Sequence, residues 1–138
     1  MKILIVEDDA DSGDALAQLL LDFGYEVRLV MQPTLARGAA REFLPDVALL
    51  DIGLPVISGY EVLAQLRALP ELAHCRFVAI TAYVGPGIIE RSFDAGFEHH
   101  LTKPLSIPQL LRCIDGAAGA PKLGSAARAR DASGDAPE

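Results

Sequence analysis

The sequence predicts an α/β protein built on a five-stranded parallel sheet with helices on both faces. Two observations lead to this prediction. Short apolar runs alternate with amphipathic helical patterns along the chain, and Gly or Pro follows most of the helical patterns. Because each strand is followed by a helix, the strands are expected to be parallel and joined by right-handed crossovers, which gives three layers.

Five segments have the length and composition of buried strands. The first, Lys2–Val6, is apolar and β-branched, as expected of a strand that is buried on both faces. The other four are Glu26–Val30, Val47–Leu50, Phe77–Ile80 and Glu98–Leu101. A helical pattern follows each of them.

The helical patterns have defined ends. In the first, Leu16, Leu19, Leu20 and Phe23 recur at the spacing of one helix face, and Gly24 ends the helix. The next three are predicted over Pro33–Phe43, Gly59–Leu69 and Pro86–Ala95, and the fifth contains Ile107, Leu110, Leu111 and Ile114. Pro45, Pro70 and Gly96 stand just past the ends of the middle three.

Length, composition and charge limit the class of protein. The 138 residues suffice for one core and are too few for two large domains. The net charge of −7 argues against direct nucleic-acid binding, and the hydrophobic share of 51% argues against broad disorder. Cys75 and Cys113 match neither a disulfide framework nor a zinc motif, so we expect reduced thiols and a cytoplasmic location. No apolar run approaches the ~20 residues of a membrane helix, so we expect no membrane contact.

The composition changes near the C-terminus. Sixteen of the 23 residues from Gly116 to Glu138 are Gly, Ala, Ser or Pro, and Leu123 is the only large apolar side chain among them. Such a segment buries too little surface to offset its ordering entropy. We therefore expect a folded domain over residues 1–117 and a flexible tail over residues 118–138.

Polar residues stand just past the ends of four of the five predicted strands. Glu7 and Asp8 follow the first strand, Asp51 the third, Thr81 the fourth and Lys103 the fifth. In open parallel sheets, ligands bind beyond the carboxyl ends of the strands at the switch point of the topology. We therefore expect these side chains to share one site.

The clustered carboxylates require a cation or a shared proton. Two carboxylates about 4 Å apart repel by roughly 4 kcal/mol at an effective dielectric constant near 20. Mg²⁺ prefers oxygen ligands, and its charge together with that of Lys103 would balance three carboxylates. Such a site could receive a phosphoryl group, because the metal would draw charge from the phosphoryl oxygens.

The loop after the first strand excludes one class of competitor. Flavodoxin-like flavin binders and dinucleotide binders hold phosphate there with a loop rich in Gly or hydroxyl groups. Here the loop is Glu7-Asp8-Asp9, which repels phosphate, and the sequence contains no G-x-G-x-x-G or Walker loop.

Several polar residues also have simpler interpretations. Asp9, Asp11 and Asp14 are expected to form a solvated helix start that the helix dipole favours. His99 and His100 are adjacent in a predicted strand, so their side chains face opposite ways and cannot easily bind one ion. For them we expect surface or switch roles. Asp51 taken alone would also suit a turn cap before Pro55.

Four motifs in order resemble the receiver domain of two-component response regulators. They are ILIVEDD (3–9), LLDIGLPVISGYE (49–61), ITA (80–82) and LTKP (101–104). Thr81 and Lys103 follow Asp51 by 30 and 52 positions, which agrees with the family pattern. Each motif alone is weak, whereas four at predicted strand ends are specific. The resemblance covers about residues 2–116 and implies a (βα)5 flavodoxin-like fold.

The resemblance assigns a phospho-acceptor and its metal ligands. Asp51 would accept a phosphoryl group from a phosphohistidine donor and form an acyl phosphate. Asp8 would bind Mg²⁺ directly, Glu7 would bind it through water, and Asp51 and the Gly53 carbonyl would complete the protein ligands.

The resemblance also assigns the response to phosphorylation. Thr81 and Lys103 would each contact a phosphoryl oxygen, and the peptide before Pro104 is expected to be cis. The added charge on Asp51 would bias a two-state surface made by helix 4, strand 5 and helix 5. The family's aromatic switch position, three residues before the lysine, is His100 here, so Thr81 and His100 are the expected switch residues.

These inferences predict a single-domain response regulator in phosphorelay signal transduction. Its expected partners are a sensor histidine kinase or a histidine phosphotransfer protein and a downstream protein bound through the helix 4–strand 5–helix 5 surface. We expect a monomer or weak homodimer. No separate output domain is expected after residue 116, and the expected chemistry is limited to phosphorylation and autodephosphorylation at Asp51.

Two other functions stay open. A Mg²⁺-dependent phosphohydrolase of the haloacid-dehalogenase type uses Asp-x-Asp with the second Asp as general acid, but Gly53 stands two residues after Asp51. A pseudo-receiver would bind partners without phosphorylation. Multiple turnover of phosphate esters would favour the first, and an unchanged amide spectrum on adding beryllofluoride with Mg²⁺ would favour the second.

Overall fold

The structure, a computed structural model, describes residues 1–53, 58–82 and 85–119. Residues 1–104 form one compact unit, and a second unit begins at Leu105. The strands are β1 (Lys2–Val6), β2 (Glu26–Val30), β3 (Val47–Asp51), β4 (Arg76–Thr81) and β5 (His99–Thr102). The α-helices are α1 (Ala10–Asp22), α2 (Ala36–Phe43), α3 (Gly59–Arg67), α4 (Ile88–Ala95) and, in the second unit, α5 (Ile107–Gly119).

The strands of the described residues form one parallel sheet. Their order is β2-β1-β3-β4-β5, and each neighbouring pair is parallel. The order reverses between β1 and β3, so the switch point lies beyond the carboxyl ends of these two strands. Every residue of β3 is buried, as expected of a central strand that is covered on both faces. The predicted five-stranded parallel sheet is confirmed.

Helices of the first unit cover both faces of this sheet. On one face, α2, α3 and α4 pack with alternate strand residues. The fully buried members of this core are Leu4, Ala36, Ala40, Ala48, Leu50, Val62, Leu66 and Ala79. Helix α1 lies on the other face. Its Gly13 packs against Leu29, since a Cβ atom at Gly13 would be 2.9 Å from that side chain. Leu29 pairs with Ile5, whose side chain points away from the face that Leu4 occupies.

Three predicted helices differ at their ends, and the one predicted over Pro86–Ala95 begins at Ile88. The segment Pro33–Phe43 begins with a 3₁₀ turn over Pro33–Leu35, and α2 starts only at Ala36. The helix predicted to reach Leu69 ends at Arg67, and a second 3₁₀ turn covers Pro70–Leu72. Both turns begin at a proline, whose fixed φ suits the first turn of a helix, and such short 3₁₀ segments are common at helix ends.

The predicted apolar face of α1 ends earlier than its pattern indicates. Phe23 is 52% exposed, whereas Leu20, on the same predicted face, is fully buried. Helix α1 ends at Asp22, and Phe23 is its C-cap residue, whose N–H still donates to the Leu19 carbonyl at 3.2 Å.

The predicted tail is described only at its start. Helix α5 reaches Gly119, past the boundary predicted after residue 117. Residues 120–138 lie outside the described residues, so the flexible tail stays a prediction. None of the helices in the described part of the chain is long and apolar enough to cross a membrane.

Candidate functional site

The carboxyl ends of β1 and β3 bring three acidic side chains together at the switch point. Glu7 directly follows β1, and its N–H donates to the Val30 carbonyl at 3.0 Å, which extends the strand pairing by one residue. Asp51 is the last residue of β3. One carboxylate oxygen from each of Glu7, Asp8 and Asp51 lies within 4.8 Å of the others. The structure therefore places in one cluster the three acids that the sequence singles out.

Lys103 extends from the end of β5 into this acidic cluster. Its Nζ lies 2.5 Å from Glu7 Oε1 and 3.2 Å from Asp51 Oδ2. Its backbone N–H donates to the Thr81 carbonyl at 2.9 Å, which ties the ends of β4 and β5 together. The Lys103–Pro104 peptide is cis, as predicted. The ammonium group thus bridges two carboxylates that come from different strands.

The Asp51 carboxylate and the Thr81 hydroxyl both lie next to Gly53. The Gly53 N–H donates to Asp51 Oδ1 at 2.8 Å. A Cβ atom at Gly53 would lie 3.5 Å from Asp51 Oδ1 and 3.9 Å from Thr81 Oγ1, so both oxygens face the same small space. Thr81 is only 1% exposed and Asp51 8% exposed, so this space is largely shielded from bulk water.

The charges of the cluster are unbalanced. Burial raises the pKa of Glu7 above its ordinary value, and the Asp51 carboxylate raises it further, although the hydrogen bond from Lys103 acts the other way. Burial alone would lower the pKa of Lys103, but Glu7 and Asp51 outweigh it and leave that pKa raised. One ammonium group therefore faces three acidic groups, and the pocket favours a further positive charge.

The donor atoms of the cluster suit a hard divalent cation. All three acidic side chains offer oxygen ligands, and Asp8 is exposed while Glu7 and Asp51 are buried. Mg²⁺ is bound in proteins by one or two carboxylates together with water and phosphate oxygens, which requires such a half-open site. The residues present therefore fit the metal that the sequence predicts.

The acidic start of α1 lies beside the cluster. Asp9 is the N-cap of α1 and accepts a hydrogen bond from the Ser12 N–H at 2.9 Å, which lowers the pKa of Asp9. The Asp9 N–H in turn donates to Glu7 Oε2 at 3.3 Å. Asp11 and Asp14 are exposed on α1, so the predicted solvated helix start is confirmed.

The start of α3 fixes the backbone at the end of β3. A Cβ atom at Gly59 would lie 2.5 Å from the Ile52 Cα and 2.6 Å from the Asp51 carbonyl oxygen, so only glycine allows this approach. Ser58 caps the helix in a capping box with Glu61. Sequence reasoning missed Gly59 as a site-supporting residue, although its place at the N-terminus of a predicted helix was a signal. Residues 54–57, with Pro55, lie outside the described residues.

His100 faces α4 and has a polar partner there. Its Nδ1 lies 3.0 Å from Ser92 Oγ, and Ser92 is fully buried. Burial lowers the pKa of His100. His99 and His100 pair with successive residues of β4, Val78 and Ala79, so their side chains lie on opposite faces of the sheet as predicted. Sequence reasoning did not find Ser92.

The fold and the site together define a class of protein: a parallel α/β protein with an acidic, lysine-bridged pocket at the switch point of its sheet. Comparison with known families refines this class. The response regulator receiver domain family matches residues 3–115. The chain belongs to this family.

Relatives and solved structures agree with the assignment. The polar-differentiation response regulator DivK of Brucella anthropi is 36% identical over 112 residues, which cover 81% of this chain and 91% of that protein. A response regulator structure from Chloroflexus aurantiacus is 29% identical, with a TM-score of 0.77, and the match covers 83% of this chain and 94% of the other. A CheY-like receiver domain from Methylobacillus flagellatus is 30% identical, with a TM-score of 0.72 and coverages of 84% and 97%.

Proposed function

We propose that this chain is a single-domain response regulator that accepts a phosphoryl group on Asp51 from a phosphohistidine donor. The convergence of groups around that carboxylate supports the proposal. Lys103 Nζ lies 3.2 Å from Asp51 Oδ2, the Gly53 N–H binds Asp51 Oδ1, and the Thr81 hydroxyl faces the same space. Phosphoryl transfer depends mainly on positioning and charge neutralisation, and this pocket offers both.

In the proposed reaction an Asp51 carboxylate oxygen attacks the phosphorus atom of the phosphohistidine. A P–O bond forms, the P–N bond breaks, and the imidazole leaves with the electron pair and is protonated by solvent. The Gly53 N–H holds the acceptor carboxylate in place, while Thr81 and Lys103 bind oxygens of the incoming group. The activity we propose is confined to phosphorylation and autodephosphorylation of this one residue.

Asp8, Asp51 and the Gly53 carbonyl would hold Mg²⁺ directly, and Glu7 would hold it through water. When bound, the ion would withdraw charge from the phosphoryl oxygens and balance the excess of carboxylates. Lys103 keeps its place as the second positive group, because its ammonium already contacts both Glu7 and Asp51.

The phosphorylated state would be communicated through a surface formed by α4, β5 and α5, with Thr81 and His100 as switch residues. Ile89 and Phe93 lie four positions apart on α4 and are 50% and 43% exposed, so they offer an apolar contact to a downstream protein. A sensor histidine kinase or histidine phosphotransfer protein would supply the phosphoryl group. We infer a cytoplasmic monomer or weak homodimer without direct contact to nucleic acid or membrane.

The proposal is tested by incubating the protein with Mg²⁺ and acetyl phosphate and measuring its intact mass. We expect a mass gain of one phosphoryl group in the parent and in Asp94→Asn, which alters an exposed carboxylate of α4. We expect no gain in Asp51→Asn. Equal phosphorylation of Asp51→Asn and the parent would refute the assignment.

Two further measurements distinguish the rival functions from the proposed one. A phosphohydrolase would release phosphate from an ester such as p-nitrophenyl phosphate over many turnovers. A pseudo-receiver would gain no mass, and its amide spectrum would not change on adding beryllofluoride with Mg²⁺. Purification of bound proteins with and without beryllofluoride would then identify the partner of the α4–β5–α5 surface.

A further inference from the structure

Helix α4 buries no apolar side chain completely. It has eight residues, and glycines in the left-handed region stand at both ends: Gly87 with φ 76° and Gly96 with φ 118°. The only residue of α4 that is buried is Ser92, while Ile88 and Ala95 are partly buried against the core. The innermost point of this helix is therefore polar, and its position depends on a hydrogen bond.

The hydrogen bonds of Ser92 determine which ring nitrogen of His100 carries a proton. The Ser92 hydroxyl donates to the Ile89 carbonyl at 2.7 Å, so its single proton is already used. The His100 Nδ1 atom, 3.0 Å from Ser92 Oγ, must then be the donor. The neutral ring is held as the Nδ1–H tautomer, in a chain of bonds from the ring through the hydroxyl to the backbone of α4.

The position of His100 connects this contact to the acidic pocket. His100 of β5 pairs with Ala79 of β4, and Ala79 precedes Thr81 by two residues. Along its own segment, His100 precedes Lys103 by three residues. The Lys103 N–H donates to the Thr81 carbonyl at 2.9 Å, so a hydrogen bond joins the ends of the two strands. Thr81 and Lys103 are therefore connected to His100 through two paired strands.

We propose that Ser92 is a positioning residue that latches the His100 ring to α4, and that this latch opens when the pocket takes up a phosphoryl group. The second half of this statement rests on the proposed function. An apolar aromatic at position 100 would have no hydrogen bond to lose, whereas here the ring leaves α4 only when the bond to Ser92 breaks. The latch therefore favours the resting arrangement of the α4–β5 surface.

Two contacts join α4 to α3 without involving His100. The Arg67 guanidinium donates to the Ala95 carbonyl at 3.0 Å, and the Arg91 guanidinium lies 4.4 Å from the centre of the Tyr60 ring. Because these contacts do not involve His100, they persist when the latch opens. Helix α4 would then pivot on α3 while it moves relative to β5.

The existence of the latch is tested by ring-nitrogen NMR on the unphosphorylated protein. We expect the Nδ1–H tautomer at His100 in the parent and in Ser12→Ala, which alters an exposed serine of α1. In Ser92→Ala we expect a shift toward the Nε2–H tautomer, with the exposed His74 unchanged as an internal reference. Amide exchange in α4 should become about fivefold faster, as expected for the loss of one neutral hydrogen bond. An unchanged tautomer and exchange rate in Ser92→Ala would overturn the latch.

The coupling of the latch to the pocket is tested by titrating each variant with beryllofluoride in the presence of Mg²⁺. The parent must break the hydrogen bond between Ser92 and His100 when it binds the mimic, and this cost weakens binding. Ser92→Ala and His100→Phe lack the bond, so each should bind the mimic about fivefold more tightly. The double variant should bind no more tightly than either single variant. Affinities equal to that of Ser12→Ala would mean that the bond is only structural. If the parent fails to bind the mimic, the proposed function fails, and the tautomer measurement still decides whether the latch exists.

Discussion

Replacing Gly59 with alanine tests how closely the fold and the acceptor site depend on each other. The new Cβ atom would lie 2.5 Å from the Ile52 Cα and 2.6 Å from the Asp51 carbonyl oxygen. Ordinary carbon contacts are about 3.5–4.0 Å long, so α3 and the end of β3 would have to separate by about 1 Å. Both neighbours are backbone atoms, which cannot rotate away.

The magnitude follows from two opposing effects. Forcing apart well-packed elements costs typically about 1–3 kcal/mol, and the absence of a flexible neighbour places this change at the upper end. Alanine in a helix gains roughly 0.5–1 kcal/mol over glycine. The free energy of unfolding should therefore fall by about 2 kcal/mol. In Gly38→Ala, the matched control on α2, a Cβ atom would meet nothing within 4 Å, so that variant should gain up to about 1 kcal/mol.

Urea unfolding followed by circular dichroism measures both changes. The rate of phosphorylation by acetyl phosphate gives a second measurement, because the displaced Asp51 carbonyl should slow it in Gly59→Ala and leave it unchanged in Gly38→Ala. Equal stability gains in the two variants would show that α3 does not approach β3 as described, and the reasoning would be refuted.

Three further predictions follow from the contacts of the site. Lys103→Met should lower the free energy of unfolding by roughly 1.5–3 kcal/mol, because it leaves the buried Glu7 without its cation, and saturating Mg²⁺ should recover part of this loss in thermal melts. Burial lowers the pKa of His100 in the folded chain below the ordinary value of 6.5, so the unfolded chain binds a proton at this histidine more readily. The contribution of neutral His100 to stability is therefore complete above about pH 6.5 and is lost as the pH falls below that value. His100→Phe should remove this dependence from unfolding curves taken at several pH values. Ser58→Ala should destabilise the protein by about 1 kcal/mol in urea unfolding through loss of the capping box with Glu61, and an unchanged midpoint would contradict the cap.

Much of the fold follows from local patterns that the structure reproduces. Strand β1 is apolar at every position after Lys2, and its burial continues up to Val6. Polar residues such as Asp51 and Lys103 then fall at strand ends, and the parallel topology alone brings those ends to one edge. This is why a single sequence was enough to place the acidic side chains and the lysine in one site.

The parts that sequence reasoning missed depend on packing between elements that are distant in the chain. Ser92 is one of four polar residues in α4, and polar residues in a helical pattern ordinarily face solvent. Only the approach of α4 to β5 buries Ser92 beside His100. Phe23 fits the spacing of a buried face, but α1 ends one residue earlier. Gly59 looks like a weak helix former until the backbone of Ile52 is seen beneath it.

A crystal structure with Mg²⁺ and beryllofluoride tests the central claim most directly. We expect the beryllium bonded to an Asp51 carboxylate oxygen, fluorine atoms contacting the Thr81 hydroxyl and the Lys103 ammonium, and the magnesium ion bound by Asp8 and Asp51. A structure grown with both ligands that shows neither of them bound, with the carboxylates of Glu7, Asp8 and Asp51 well separated, would contradict it.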